Sequence, residues 1–440
     1  MSRRNEVLRL FNAKRAYMED RIKAGIEANR KGDAFLHIVD GKGDAVEDAV
    51  VKVVQKNHDF KYGANLFLLD EFLDAEKNDA YRKIFSESFN IATLPFYWKD
   101  LEPEPGKYRF SKESPRIYRR PVPDLCLEYC EANGIEPKAH CLNYAAIMPE
   151  WAKGTLAWEK KCLNERFRTL AERYAGRIPM WEVTNETFWT SPLSTLYRQP
   201  EMVEYSFALA EKYFPGNKLI INEAHIKSWS PQCFLGDRSP FYMQIERALL
   251  KGARIDGIGM QYHMFYPQEK EAEETRPYYD PEQLFAVMDA YDKLNLPMHL
   301  TEITIPAYSN DPEDEALQAE IIRNLYRIWF SHRAMEGIIY WNLVDGYGYG
   351  AGPGDMSAGE NSYYGGLLRF DMSPKPAFKV IRELFDQEWR TDLELHTESG
   401  NLSFRGFYGS YDIEVTAAGK RVNKVIHLSK EKYNHFTINI

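Results

Sequence analysis

Hydrophobic and polar positions change period along the chain. Near the start, Leu8, Phe11, Met18, Ile22 and Ile26 recur at helical steps, which predicts an amphipathic helix over 1–32 that Gly32 ends. Two β-rich runs follow, AFLHIV (34–39) and VVKVVQ (50–55), separated by a loop that begins Asp40-Gly41-Lys42-Gly43, and together they read as a hairpin over 33–58. Alternating runs return in 391–440, broken at Gly406, Gly409 and Ala418-Gly419. An isolated hairpin is marginal in water, so the two terminal segments are expected to close on each other as a small accessory β-sandwich.

Between them, over 59–390, short apolar runs alternate with longer helical patterns. The runs are YGANLF (62–67), FNIATL (89–94), EPKAHC (136–141), MWEVTN (180–185), KLIINE (218–223), IDGIGMQY (255–262), PMHLTE (297–302) and GIIYWNL (337–343). Several are apolar on both faces, as parallel strands covered by helices are, and each gap leaves room for a crossover helix. The expected fold is α/β, a (β/α)8 TIM barrel carrying the terminal sandwich. Active groups in that fold sit at the C-terminal ends of strands. Two carboxylates do: Glu186 after the fourth strand and Glu302 at the end of the seventh. Two carboxyl groups held about 5 to 5.5 Å apart are what retaining glycoside hydrolysis needs, one attacking the anomeric carbon and the other protonating the leaving oxygen. A single strand-end Glu is more often a salt-bridged loop residue, so the pair gains weight only from its surroundings.

Composition narrows the field. Lys and Arg number 56 against 65 Asp and Glu, a net charge of −9, which argues against a nucleic-acid or anionic-membrane partner. Five cysteines, Cys126, Cys130, Cys141, Cys162 and Cys233, form no CxxC pair and suit a reducing compartment. The first 25 residues have no uninterrupted apolar stretch, so a cytoplasmic protein is expected unless a leader has been lost. His140, His225 and His263 show neither HxH nor HExxH spacing, and no metal or organic cofactor is expected. Aromatic residues reach 14% of the chain, with 28 Tyr and 9 Trp.

The words around the two glutamates carry more. WEVTNE (181–186), LIINEAH (219–225), IDGIGMQYH (255–263), MHLTEITIP (298–306) and IIYWNLVDG (338–346), followed by SPKPAF (373–378), stand in the order and spacing of glycoside hydrolase family 10, the endo-xylanase family, which the chain resembles over roughly 60–388. LEPEPGKYRF (101–110) and HCLNYAAIMPEW (140–151) also look like family segments. The resemblance implies Glu186 as acid/base and Glu302 as nucleophile. It implies Asn185 as the partner of the sugar 2-hydroxyl, His140 as a sugar contact next to the scissile bond, and Asn222 as a polar neighbour of the acid/base. Gln261 and His263 match a pair that holds the nucleophile, and Trp341 matches an indole floor. Tyr97, Tyr144 and Tyr262, at strand ends, complete the expected substrate-binding set.

Departures are as informative. Thr93, Leu94 and Tyr97 stand where the family grips the next sugar with Glu, Asn and Lys; Thr304 replaces an Asp beside the histidine, and Ala139 a Trp. Tyr347 and Tyr349 lie where a second Trp is expected. Together with Trp98 and Trp189 they suggest a cleft relying more on rings and less on charged handles than the family does. The expected substrate is therefore a short β-linked oligosaccharide or glycoside rather than xylan. An endo-β-1,4-xylanase is the nearest alternative, and a non-catalytic carbohydrate-binding barrel one of another class.

Overall fold

A computed structural model describes residues 2–188 and 194–440. The amphipathic N-terminal segment forms three short helices, α1 (Arg3–Val7), α2 (Arg9–Ala13) and α3 (Arg15–Asn29). Val7, Leu8, Phe11, Met18 and Ile22 are buried in the same apolar core as the barrel, so the stripe packs where its periodicity demands. The helix does not run on to Gly32. A strand, β1 (Lys31–Val39), begins two residues after α3 ends, and Gly32 lies inside it.

The expected hairpin over 33–58 is also corrected. The strand β2 (Ala49–His58) does not pair with β1. Further strands are β3 (Lys61–Asn65), β4 (Ile91–Pro95), β5 (Glu136–His140), β6 (Met180–Asn185), β7 (Lys218–Glu223), β8 (Gly257–His263), β9 (Met298–Thr304) and β10 (Met335–Tyr340). The C-terminal segment adds β11 (Asp392–Thr397), β12 (Asn401–Phe407), β13 (Gly409–Ala417), β14 (Lys420–Leu428) and β15 (His435–Asn439). One sheet has the order β12-β1-β15 and the other β11-β2-β13-β14. Ala34, Leu36 and Ile38 from the first face Val51, Val53, Ile413 and Val415 from the second across one shared apolar cluster. The Asp40 to Gly43 turn thus passes the chain from one sheet to the other, and distant segments supply the partners of β1.

β3 to β10 close into a parallel barrel in the order β10-β3-β4-β5-β6-β7-β8-β9. Ile91, Met180, Ile220 and Ile339 form a small apolar cluster of their own. Polar residues occur nearer the C-terminal ends of the strands, among them fully buried Lys138 and Glu182. Register brings the ends together: Asn185 pairs with Asn222 between β6 and β7, and Gln261 with Glu302 between β8 and β9. Gly259 makes room for this, because an added Cβ would lie 2.6 Å from Asn222 Oδ1.

Candidate active site

A cleft of about 380 Å³ opens at these strand ends. Glu186 follows β6 with φ at +50°, a left-handed backbone uncommon for a residue with a side chain, and its half-buried carboxylate lines the cleft together with that of Glu302. Gln261 Nε2 lies 3.0 Å from Glu186 Oε1 and 3.2 Å from Glu302 Oε1. One oxygen of each carboxylate is thus held on the same amide, so the two groups face each other across it.

Each glutamate has its own set of partners. Tyr144 donates to Glu186 Oε2 at 2.6 Å, and burial together with the neighbouring Glu186 pushes the Tyr144 phenol well up, so it remains a donor. On Glu302, Asn222 Nδ2 and Gln261 Nε2 both reach Oε1 at 3.2 Å, and His263 Nε2 lies 3.1 Å from Oε2. Burial lowers the pKa of His263 to about 4. The ring is neutral, and Thr304 Oγ1, 3.0 Å from Nδ1, can donate there and leave Nε2–H for the carboxylate. A carboxylate at position 304 would instead favour an imidazolium.

Beneath Glu302 lies Glu182, which the sequence reading missed together with its partner Lys138. Lys138 and His140 both hydrogen-bond Glu182, and all three are buried. Burial alone would raise the Glu182 carboxyl, but Lys138 and His140 hold it down at about 2. Burial opposes the proton on His140, and Glu182 outweighs burial, so the imidazole pKa is raised. Burial pushes Glu302 up to about 8 against the pull of His140; three donors converging on the carboxylate favour its ionised form. His140, Glu182 and Glu302 offer ligand atoms within 4.8 Å of one another, but the Lys138 ammonium already neutralises Glu182 where a cation would have to sit.

Several expected residues lie elsewhere. Asn222 is fully buried and bonds Asn185 Oδ1 at 2.8 Å as well as Glu302, so it positions the cleft residues from below and does not line it. Tyr262 faces outward. It is buried against Trp229, Trp329 and Tyr278, and its hydroxyl donates to the Tyr278 carbonyl. Strand alternation explains this, because Gln261 and His263 point inward on either side of it. Trp98 is buried with its Nε1 on Glu102, and Tyr347 packs between Phe72 and Phe370. Trp189 lies outside the described residues. Glu223 is also buried, its carboxylate held by the Thr187 and Ala224 backbone N–H groups.

The residues that do form the cup are Phe67, Tyr97, His140 and Trp341. Neighbouring ring centroids lie 4.9 Å apart for Phe67 and Trp341, 5.7 Å for Phe67 and Tyr97, 5.5 Å for Tyr97 and His140, and 5.6 Å for His140 and Trp341. Charged groups line the cleft as well: Lys99, from the short helix Trp98–Leu101, and Arg119, Arg120 and Glu360, none of which carries a strand-end signal in the sequence.

A family model described as glycosyl hydrolase family 10 matches residues 57–384. The chain belongs to glycosyl hydrolase family 10. Its barrel is a glycoside hydrolase barrel of the xylanase-like kind. Endo-1,4-beta-xylanase B of Thermotoga neapolitana is 27% identical over 345 residues, covering 75% of this chain and 88% of that enzyme. Anti-sigma-I factor RsgI6 of Acetivibrio thermocellus is 25% identical over 420 residues, 93% of this chain. The chain spans 48% of that relative's length. Among solved structures, xylanase 10B of Thermotoga petrophila RKU-1 in complex with xylobiose superposes with a TM-score of 0.58 at 23% identity, over 75% of this chain and 95% of that one. That likeness is one of fold. Among the described residues, no helix is long and apolar enough to cross a membrane.

Proposed function

We propose that this family 10 protein is a retaining β-glycosidase that hydrolyses short β-linked oligosaccharides or glycosides by double displacement. Glu302 is the nucleophile and Glu186 the acid/base. The observation that carries the reading is the Gln261 amide bridging the two carboxylates, which brings one oxygen of each close together and supports the short spacing of a retaining pair. Attack by Glu302 on the anomeric carbon forms a glycosyl ester while Glu186 gives its proton to the leaving oxygen. Glu186, now a base, takes a proton from water, which attacks the anomeric carbon and breaks its bond to Glu302, freeing the sugar and the carboxylate together.

The surrounding groups suit those steps. Asn222, Gln261 and His263 fix the attacking carboxylate by hydrogen bonds, and Tyr144 steadies Glu186 as it becomes an anion. Trp341 and Tyr97 offer ring surface to a pyranose. Xylan itself is disfavoured because Thr93 and Leu94 are fully buried and offer no handle to a second xylose. Several relatives are named endo-1,4-beta-xylanases, which keeps that activity as the second reading. A panel of aryl β-glycosides and xylo-oligosaccharides separates them. Turnover of aryl glycosides with poor release of xylobiose from xylan is expected, and efficient xylobiose release would favour the xylanase.

A further inference from the structure

The carboxylate pair divides the rim into two arcs. A proton donor must flank the leaving oxygen and a nucleophile must lie under the anomeric carbon, so the glycone ring extends from Glu302 away from Glu186, over the loops that follow β10, β3 and β4. On that arc the cleft meets a bar. Arg119, in the loop after β4, donates from Nη2 to Asn342 Oδ1 at 2.6 Å, in the loop after β10, and its Nη1 lies 3.8 Å from Glu360 Oε2. The bond crosses the rim above β3. Glu360 is fixed in turn by Asn342 and by the Tyr349 backbone N–H.

Three features mark the bar as built. Arg119 is 4% exposed with a left-handed φ of +61°, and its Nε and Nη1 are buried without hydrogen-bond partners among the described residues, a combination that folding alone does not favour. Arg120 braces it, with its guanidinium 4.0 Å over the Tyr97 ring and Nε donating to Asp100 at 2.9 Å. The loop that carries Asn342 is itself packed. Tyr347 meets Phe72 edge-on at 4.8 Å and stacks on Phe370 at 5.0 Å.

We propose that Arg119 closes the glycone end of the cleft, so that the enzyme holds one terminal sugar over Trp341 and works from the non-reducing end of its substrate. This rests on the retaining reading above and assigns it an exo mode. A second sugar on the glycone side would have to occupy the position of the Arg119 to Asn342 bond.

The test uses trapping reagents of one and two sugars. The purified full chain is treated with the 2,4-dinitrophenyl 2-deoxy-2-fluoro-β-glycosides of xylose and xylobiose, and of glucose and cellobiose, each of which forms a slow-turnover ester with a retaining nucleophile. Inactivation by a single-sugar reagent at least ten-fold faster than by its two-sugar partner, with the mass of one sugar added to Glu302, is expected. Arg119→Ala and, from the other side of the bar, Asn342→Ala should each narrow that ratio, whatever their effect on absolute rate. A two-sugar reagent reacting as fast as its partner in the wild type would overturn the closed pocket and leave the retaining reading standing. A ratio unmoved in both variants would reject Arg119 as the stop. No label from any reagent would overturn the retaining reading, and the proposal with it.

Discussion

The floor of the cleft and its glycone wall are built by different rules. The floor is made of strand-end residues in register: Asn185, Asn222, Gln261, His263 and Glu302 share one hydrogen-bonded network, and Glu182 is matched by Lys138 beneath it. The wall stands on loops, with Arg119, Arg120, Tyr349 and Glu360 meeting across the rim. Strands fix side chains to within the pleat, whereas loops are free to be rebuilt. The chemistry is therefore held by the part that resists change, and the choice of substrate by the part that tolerates it.

The sharpest way to break this contrast is at the floor. Glu302→Ala should lower turnover of an aryl β-glycoside by roughly 10⁴-fold, as loss of a covalent nucleophile does, and added azide should restore turnover as a glycosyl azide. An active variant without azide would sink the assignment. Next in size is Glu186→Gln, expected to cost about 10² to 10⁴-fold on poor leaving groups and little on 2,4-dinitrophenolate, which needs no proton. The pH profile checks Glu302 by itself. Burial raises its carboxyl to about 8, and only the ionised carboxylate attacks, so in Glu186→Gln with the activated substrate kcat/KM should rise with pH to a plateau; a profile that falls over that range would contradict Glu302 as the attacking group.

Lys138→Met tests the layer below. Removing the ammonium leaves buried Glu182 with His140 and the Asn222 amide, and the loss is expected to be about 3 to 5 kcal/mol of stability, read from denaturant unfolding; a neutral result would mean that water reaches Glu182. Tyr144→Phe is the smallest. It removes a donor to Glu186 worth about 1.5 kcal/mol, so kcat should fall about ten-fold. An unchanged kcat would show that Tyr144 does not act on Glu186.

What could be read from the chain follows the same division. The barrel strands were visible because parallel strands buried on both faces are continuous apolar runs, and Glu186 and Glu302 because they close such runs. Tyr262 was misplaced although period-two alternation, with Gln261 and His263 inward, already turns it outward. Glu182 and the Lys138, His140 pair were legible by the same rule, as inward positions on adjacent strands. Arg119 was not. Its place depends on the path of the loop between β4 and β5, which no local pattern encodes. The pairing of β1 with β12 and β15 was hidden for a related reason: the Asp40 to Gly43 turn is local, and the strand partners are several hundred residues away.

The central claim is double displacement by Glu302 and Glu186, and stereochemistry tests it most directly. Proton NMR of an aryl β-glycoside during the first minutes of hydrolysis should show the β-anomer of the free sugar appearing first and mutarotating afterwards. First release of the α-anomer would mean a single displacement by water and would contradict the account.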